Sequence, residues 1–159
     1  MKSLRYLKGI FVLLLSTCWI YAGAPDWDCD GDGVLDNLNQ YQNNGSFTAG
    51  ILLDGQNTAT EGDLFGAFVD GELRGVGALS QVPDVPPVFG EWAGQNQFAM
   101  LVYSNEASGE DISFKYYDSE TDNVYDILDI FPFTADMTEG TAVEPVVFNF
   151  SSSDISSDP

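Results

Sequence analysis

The sequence predicts an all-β fold, a single β-sandwich of Ig-like or jelly-roll type with about seven strands in residues 46–150. Three observations support this class. Apolar and polar residues alternate with a period of two in several segments, turns rich in glycine and aspartate separate those segments, and no stretch keeps a helical apolar period over three turns. Since 44% of the whole chain is hydrophobic, this region can bury a core of its own.

Seven segments have the pattern of strands. Residues 64–69 are apolar and precede Asp70-Gly71, a pair that favours the tight turn of a hairpin, so we expect residues 73–79 to return antiparallel to them. Residues 98–103 are apolar throughout, which is typical of a central strand. The predicted strands are residues 47–53, 64–69, 73–79, 98–103, 112–117, 124–131 and 145–150.

Residues 1–24 have the form of a signal peptide. Three positively charged residues, Lys2, Arg5 and Lys8, precede an apolar stretch at residues 10–15, and an Ala-x-Ala pattern follows at residues 22–24. The apolar run is shorter than the about 20 residues that span a bilayer, so we expect a secreted or cell-surface protein with no transmembrane segment after signal removal. An alternative stays open, because Leu-Ser-Thr-Cys at residues 15–18 resembles a lipobox. Lipidation at Cys18 would anchor the protein to a membrane.

The charge of the chain is strongly unbalanced, with 25 acidic and 5 basic residues. Three of the basic residues lie in the predicted signal peptide, so the remainder keeps only Arg74 and Lys115 against all 25 acids. Such a surface repels nucleic acid and anionic membranes and attracts divalent cations. We therefore expect no nucleic-acid partner. Arg74 has two open interpretations, a contact to an anionic ligand or an ion pair with Asp63 or Glu72.

The residue types also restrict the chemistry. The chain has no histidine, and Cys29 is the one cysteine after the predicted signal peptide. This excludes Ser-His-Asp and Cys-His nucleophilic sites and argues against zinc, which prefers histidine and cysteine ligands. Cys29 is either a free thiol or pairs with another chain. No glutamate lies in a strand with the inward, aromatic setting that suits a glycosidase acid, so we predict that the protein is not an enzyme.

An aspartate-rich stretch in residues 26–37 is the clearest chemical signal. It reads Asp-Trp-Asp-Cys-Asp-Gly-Asp-Gly-Val-Leu-Asp-Asn. Calcium binds about six to eight hard oxygens, and alternate carboxylates on a tightly turned backbone can supply several of them. Gly33 permits the turn, and we expect Leu35 to pack inward and anchor the loop. The stretch itself predicts three carboxylate ligands, Asp28, Asp30 and Asp32, and the carbonyl oxygen of Val34.

This stretch resembles the D-x-D-x-D-G-x-x-D calcium loops of thrombospondin type-3 repeats and of EF-hand-like loops in secreted proteins. The resemblance implies calcium as the cofactor, with Asp28, Asp30, Asp32, Asp36 and the carbonyl oxygen of Val34 as its ligands. An EF-hand loop ends in a bidentate glutamate, where this chain has Asn39, so the site lacks one strong ligand or recruits Asn37, Asn39 or another residue. Thrombospondin repeats come in tandem with paired cysteines, unlike this single loop. We expect weak binding, with a dissociation constant of about 10⁻⁴–10⁻³ M.

The predicted β-sandwich has a second resemblance, which rests on four segments: residues 62–69, 72–76, 102–105 and 113–118. They are similar to a β-sandwich module of secreted and cell-surface bacterial proteins. The resemblance implies an extracellular binding or structural role and no catalysis. We expect an adhesive or structural role, with a cell-surface glycan or protein as the partner. The resulting organisation is a signal peptide (1–24), a calcium-binding loop and linker (25–45), a β-sandwich domain (46–150) and a disordered, serine-rich tail (151–159).

An alternative function is a carbohydrate-binding module. Residues 82–94 read as a proline-rich loop that carries Phe89 and Trp92, and aromatic rings on a loop can stack against sugar rings. The other interpretation is that these rings cap the core, since large aromatic side chains usually bury most of their surface. Three further aromatic residues that could join such a row are Trp27, Tyr117 and Tyr125.

Overall fold

The structure, a computed structural model, describes residues 23–156. All but the last two positions of the predicted signal peptide lie outside the described residues, and so does the alternative lipidation site at Cys18. The final residues of the predicted tail, 157–159, lie outside them as well.

The described chain consists mainly of strands. All seven predicted segments form strands, and two further strands of two residues each were not predicted. The strands are β1 (Asn43–Leu53), β2 (Gln56–Asn57), β3 (Leu64–Val69), β4 (Glu72–Gln81), β5 (Asn96–Ser104), β6 (Ser108–Asp118), β7 (Asn123–Thr134), β8 (Thr138–Glu139) and β9 (Val146–Phe150).

The strands form one curled sheet with the order β2-β1-β5-β4-β3-β6-β7. Neighbours along this path are antiparallel, whereas β8 and β9 pair in parallel with β1. Strand β4 makes a corner, because Val76 pairs with Gly66 of β3 and the next residue, Gly77, pairs with Met100 of β5. The all-β class is confirmed. The Ig-like or jelly-roll sandwich stays a prediction, since the pairing path is one continuous sheet.

Aromatic side chains fill the inside of the curl. Phe114 of β6 stacks on Phe65 of β3 with ring centroids 5.5 Å apart, and its ring lies 4.8 Å from that of Phe148 in β9. Because β9 lies beside β1, this contact brings two distant parts of the sheet face to face. Burial of each phenylalanine contributes about 1.5–3 kcal/mol, so these rings hold the curl closed.

The predicted hairpin between β3 and β4 is confirmed. Its strands pair antiparallel, and its turn residues Asp70 and Gly71 have φ angles of 50° and 79°. Positive φ at both positions is the signature of the tight turn that suits a two-residue hairpin. The same pair occurs at Asp54 and Gly55, between β1 and β2, with the same two φ values.

Strand β7 contains an irregularity that the sequence did not predict. Phe114 pairs with Ile127 and Ile112 pairs with Phe131, so three residues of β7 lie opposite one residue of β6. These three residues, Leu128-Asp129-Ile130, are exposed, with Leu128 at 84% and Ile130 at 60%. They form an extruded bulge at an edge of the pairing path.

Asp63 is a buried carboxylate just before β3. It accepts hydrogen bonds from the backbone N–H of Thr60 (2.7 Å), from the backbone N–H and hydroxyl of Ser119 (2.9 and 2.8 Å), and from the Tyr116 hydroxyl. These donors satisfy its charge and tie the turn before β3 to the turn after β6. The pKa of Tyr116 is raised above its usual range. Burial is the largest cause, and the hydrogen bond to Asp63 and the negative charge of Asp63 add to it.

Two segments differ from the sequence-based prediction. Residues 82–94, predicted to be a loop, contain the short helix α1 (Pro86–Phe89) and a 3₁₀ helix (Gly90–Trp92); single turns are too short to produce an apolar period. The tail, predicted to be disordered, contacts the edge of β7 within residues 151–156. Ile155 pairs with Tyr125, because the edge of β7 offers backbone groups that the tail's composition does not reveal.

Candidate metal centre

The aspartate-rich loop turns at two glycines. Gly31 and Gly33 both have a φ of 74°, a conformation that residues with a side chain rarely adopt. The turns direct two backbone N–H groups at Asp28. Gly31 donates to Oδ1 at 2.8 Å and Gly33 donates to Oδ2 at 2.9 Å. The backbone of the loop therefore fixes the first predicted ligand in place.

Three of the predicted ligands lie close together. One carboxylate oxygen from each of Asp28, Asp30 and Asp36 lies within 4.8 Å of the other two. Oxygens at about 2.3–2.6 Å from one calcium ion are at most about 5.2 Å apart, so this spacing is compatible with a shared ion. Asp28 is half-buried, and the other two are exposed.

The other two predicted ligands are placed differently. Asp32 is not part of the group, and its Oδ1 accepts a hydrogen bond from the backbone N–H of Val34 at 2.8 Å. This contact stabilises the turn, and the metal roles of Asp32 and of the Val34 carbonyl stay predictions. Of the two asparagines considered as extra ligands, Asn37 has a buried Oδ1 without a hydrogen-bond partner among the described residues. Asn39 is exposed.

Neighbouring carboxylates change the proton affinity of Asp30. A hydrogen bond from the backbone N–H of Asp32 lowers its pKa. The charge of Asp32, desolvation and the charges of Asp36 and Asp28 outweigh that effect and raise the pKa overall. The crowded negative charge is what a bound cation would neutralise.

The Cys29 thiol lies in the same negative environment. It is free and exposed, and it donates a hydrogen bond to Oδ1 of Asp26 at 2.9 Å. The pKa of Cys29 is raised to about 12, and this hydrogen bond is the largest cause. A hydrogen bond to Asp36, desolvation and the negative charges of Asp26 and Asp36 add to it. The thiol is therefore protonated at neutral pH, and the thiolate needed for a nucleophile or a soft metal ligand is suppressed.

Apolar side chains fasten the loop to the sheet. Trp27 is 9% exposed and packs edge-on against Phe68 of β3, with 5.3 Å between ring centroids. Leu35 is 4% exposed, which confirms the predicted inward packing. Between them, Gly33 lies so close to β4 that an added Cβ would be 2.7 Å from the Cβ of Ala78. The loop is therefore docked on the β3–β4 corner.

The linker after the loop is held by Arg74. Its guanidinium forms ion pairs with Glu72 (3.2 Å) and Glu110 (3.5 Å) and lies 4.9 Å from the ring centroid of Tyr41. The Tyr41 hydroxyl donates to Glu72 at 2.8 Å. Of the two ion-pair partners considered from the sequence, Glu72 is confirmed. Asp63 is not a partner of Arg74, because its oxygens already accept the hydrogen bonds described above.

No protein-family model, curated protein or solved structure matches the chain. The two resemblances therefore stay predictions, and the function is argued from the geometry of the described residues. Within residues 23–156, no helix has the length and apolar character needed to cross a membrane.

The aromatic residues considered for sugar stacking are only partly available. Trp27, Tyr117 and Tyr125 are 9%, 6% and 3% exposed, so they belong to the core. Trp92 and Phe89 are half-buried, and Trp92 lines an open cleft. The polar side chains of this cleft were missed by the sequence analysis, since isolated glutamines carry no recognisable pattern.

Proposed function

We propose that this protein is a calcium-stabilised module of the cell exterior with an adhesive or structural role. The observation that supports this most is the convergence of oxygens from Asp28, Asp30 and Asp36 within 4.8 Å. The donor set consists of hard carboxylate oxygens, which calcium prefers. Histidine is absent from the chain and the nearby thiol is held protonated, so the group does not favour a softer metal.

The docking of the loop explains how an ion would affect the whole domain. Calcium would neutralise the repulsion among the carboxylates and hold the loop in one conformation. Trp27 and Leu35 are buried on either side of that loop, so a fixed loop keeps both side chains on the sheet. Binding to the folded state alone stabilises it by about 2.7 kcal/mol when calcium is about 100 times the dissociation constant.

The proposed location outside the cell fits a weak site. With three gathered carboxylates, an affinity of about 10⁻⁴–10⁻³ M is expected, which suffices where calcium is abundant. The signal peptide predicted in residues 1–24 would direct the chain there.

The test is calcium titration of the 159-residue chain by calorimetry, together with melting curves in calcium and in chelator. We expect one weak site and a rise in Tm of about 5–10 °C at saturation. Asp30→Asn and Asp36→Asn should each abolish the heat and the shift. Asp129→Asn removes the same charge from the exposed bulge of β7 and should leave both unchanged. Equal Tm values in calcium and chelator would refute the proposal.

A further inference from the structure

A second candidate site lies apart from the calcium loop. A cleft of about 530 Å³ opens where the β1–β2 turn, the 3₁₀ helix Gly90–Trp92 and β9 meet. Its lining includes the apolar side chains Leu52 and Val147, the indole of Trp92, and the polar side chains of Gln56, Glu91 and Gln95. The cleft therefore combines one aromatic ring with several hydrogen-bonding groups.

The indole of Trp92 is positioned by a glycine. The outer edge of its six-membered ring, with Cη2, Cζ3 and Cζ2, lies against Gly50 in the middle of β1, and a Cβ at Gly50 would overlap these atoms. Trp92 stays half-buried, so part of the ring faces the cleft. A fixed, partly exposed indole loses little conformational entropy when a ligand packs on it.

The polar groups of the cleft are largely unused. The side chains of Glu91 and Gln95, both exposed, make no hydrogen bond or ion pair within residues 23–156. Gln56 donates one side-chain N–H to the neighbouring Gly55 carbonyl at 3.2 Å and keeps its own carbonyl oxygen free. No lysine or arginine lines the cleft. The free groups are thus amide donors, amide acceptors and one carboxylate acceptor.

We propose that this cleft binds a segment of a neutral saccharide chain. A pyranose ring has an apolar C–H face that can pack on the Trp92 indole, and its rim of hydroxyls can donate to Glu91 and exchange hydrogen bonds with Gln95 and Gln56. An anionic glycan is disfavoured, because the cleft lacks a cation and the chain carries 25 acids. Glu91 is the one acid in the lining, whereas glycoside hydrolysis generally uses two, so the chemistry here is binding.

This inference is independent of the proposed calcium function, because no residue of the cleft lies in the loop. Either can fail without the other. The experiment is calorimetric titration of the 159-residue chain with cellohexaose, xylohexaose and mannohexaose, and with hexagalacturonate as the anionic comparison. We expect millimolar or tighter binding of at least one neutral hexasaccharide and none of hexagalacturonate.

Variants of the cleft residues then test whether the saccharide binds in the cleft. Trp92→Ala should weaken the binding by about tenfold or more, because a central aromatic contact is lost. Its Tm is measured on the same sample. The double variant Glu91→Gln, Gln95→Ala changes only exposed side chains without partners, so it tests the cleft even if Trp92→Ala unfolds. Val88→Ala shortens a side chain that is 57% exposed and lies outside the lining, and it should bind like the wild type.

Two results would overturn the proposal. One is the absence of heat with every neutral hexasaccharide at millimolar concentration. The other is binding that stays at the wild-type affinity in a folded Trp92→Ala variant and in the double variant.

Discussion

Asp63 and Tyr116 are buried together, and their contact makes the protonation state of one tyrosine important for stability. The Asp63 carboxylate accepts a hydrogen bond from the Tyr116 hydroxyl. Deprotonation of Tyr116 would bury a second negative charge beside it. Burial and the neighbouring carboxylate accordingly raise the pKa of Tyr116, so the folded state keeps this proton more tightly than the unfolded chain does.

This difference predicts a loss of stability in alkali. The pKa of tyrosine in the unfolded chain is about 10, so the stabilisation is complete below that pH and is lost as the pH rises above it. In urea unfolding between about pH 9 and 12, the wild type should lose up to about 1.4 kcal/mol per pH unit more than Tyr116→Phe. The variant also lacks a hydrogen bond, but that offset does not change with pH. Parallel curves for the two proteins would contradict the prediction.

Single-residue roles were predictable where the sequence carries a local pattern. Leu35 was expected to pack inward from its place in the aspartate-rich loop, and it does. The role of Asp63 was not predicted, because its donors include Ser119, which lies 56 residues away. Only the pairing of β3 with β6 brings the two together. Asp28, Asp30 and Asp36 lie within nine residues of the chain, so their spacing in the sequence was enough to predict that they lie close together.

At the scale of elements, the calcium loop depends on its docking to the β3–β4 corner. Leu35→Ala removes a buried side chain at that contact and should lower the free energy of unfolding by about 2–3 kcal/mol. It should also weaken calcium binding, because the ligands are no longer held in one arrangement. Urea unfolding and calorimetry in calcium measure the two effects.

The matched control for this change is the adjacent residue. Val34→Ala shortens a side chain that is 40% exposed, so stability should change by no more than about 0.5 kcal/mol. If Leu35→Ala unfolds like the wild type, the loop does not contribute to the stability of the sheet.

Elements were predicted better than their connections. The seven longer strands have alternating or continuous apolar patterns, and each was found. The strands β2 and β8 have two residues each, and the helix α1 has four, so none of them is long enough to show a period. The parallel pairing of β9 with β1 was not predicted, since it joins residues about one hundred positions apart. The bulge at Leu128-Asp129-Ile130 was not predicted, because its residues lie within a mostly apolar run that reads as a continuous strand.

For the whole molecule, charge repulsion opposes folding. Arg74 and Lys115 are paired with acids through contacts of 3.2–3.5 Å, but they balance few of the 25 acidic residues. Raising sodium chloride from about 0.01 M to about 1 M shortens the Debye length from about 30 Å to about 3 Å. We expect this to raise the Tm, because the screened repulsion outweighs the few screened ion pairs.

Calcium provides the comparison for this effect. If the loop binds the ion, millimolar calcium should raise the Tm more than sodium chloride does at equal ionic strength. A Tm that falls as salt increases would show that the ion pairs of Arg74 and Lys115 dominate over the repulsion.

The parallel pairing of β1 with β9 has a mechanical consequence. The register runs from Ala49 opposite Val146 to Leu53 opposite Phe150, so the two strands point the same way. Tension applied through the chain before β1 and the chain after β9 pulls them in opposite directions along their common axis. The hydrogen bonds between them are then loaded in shear, all at once, instead of opening one after another from an end. Such a geometry resists stretching, which is what the proposed adhesive role requires of the domain.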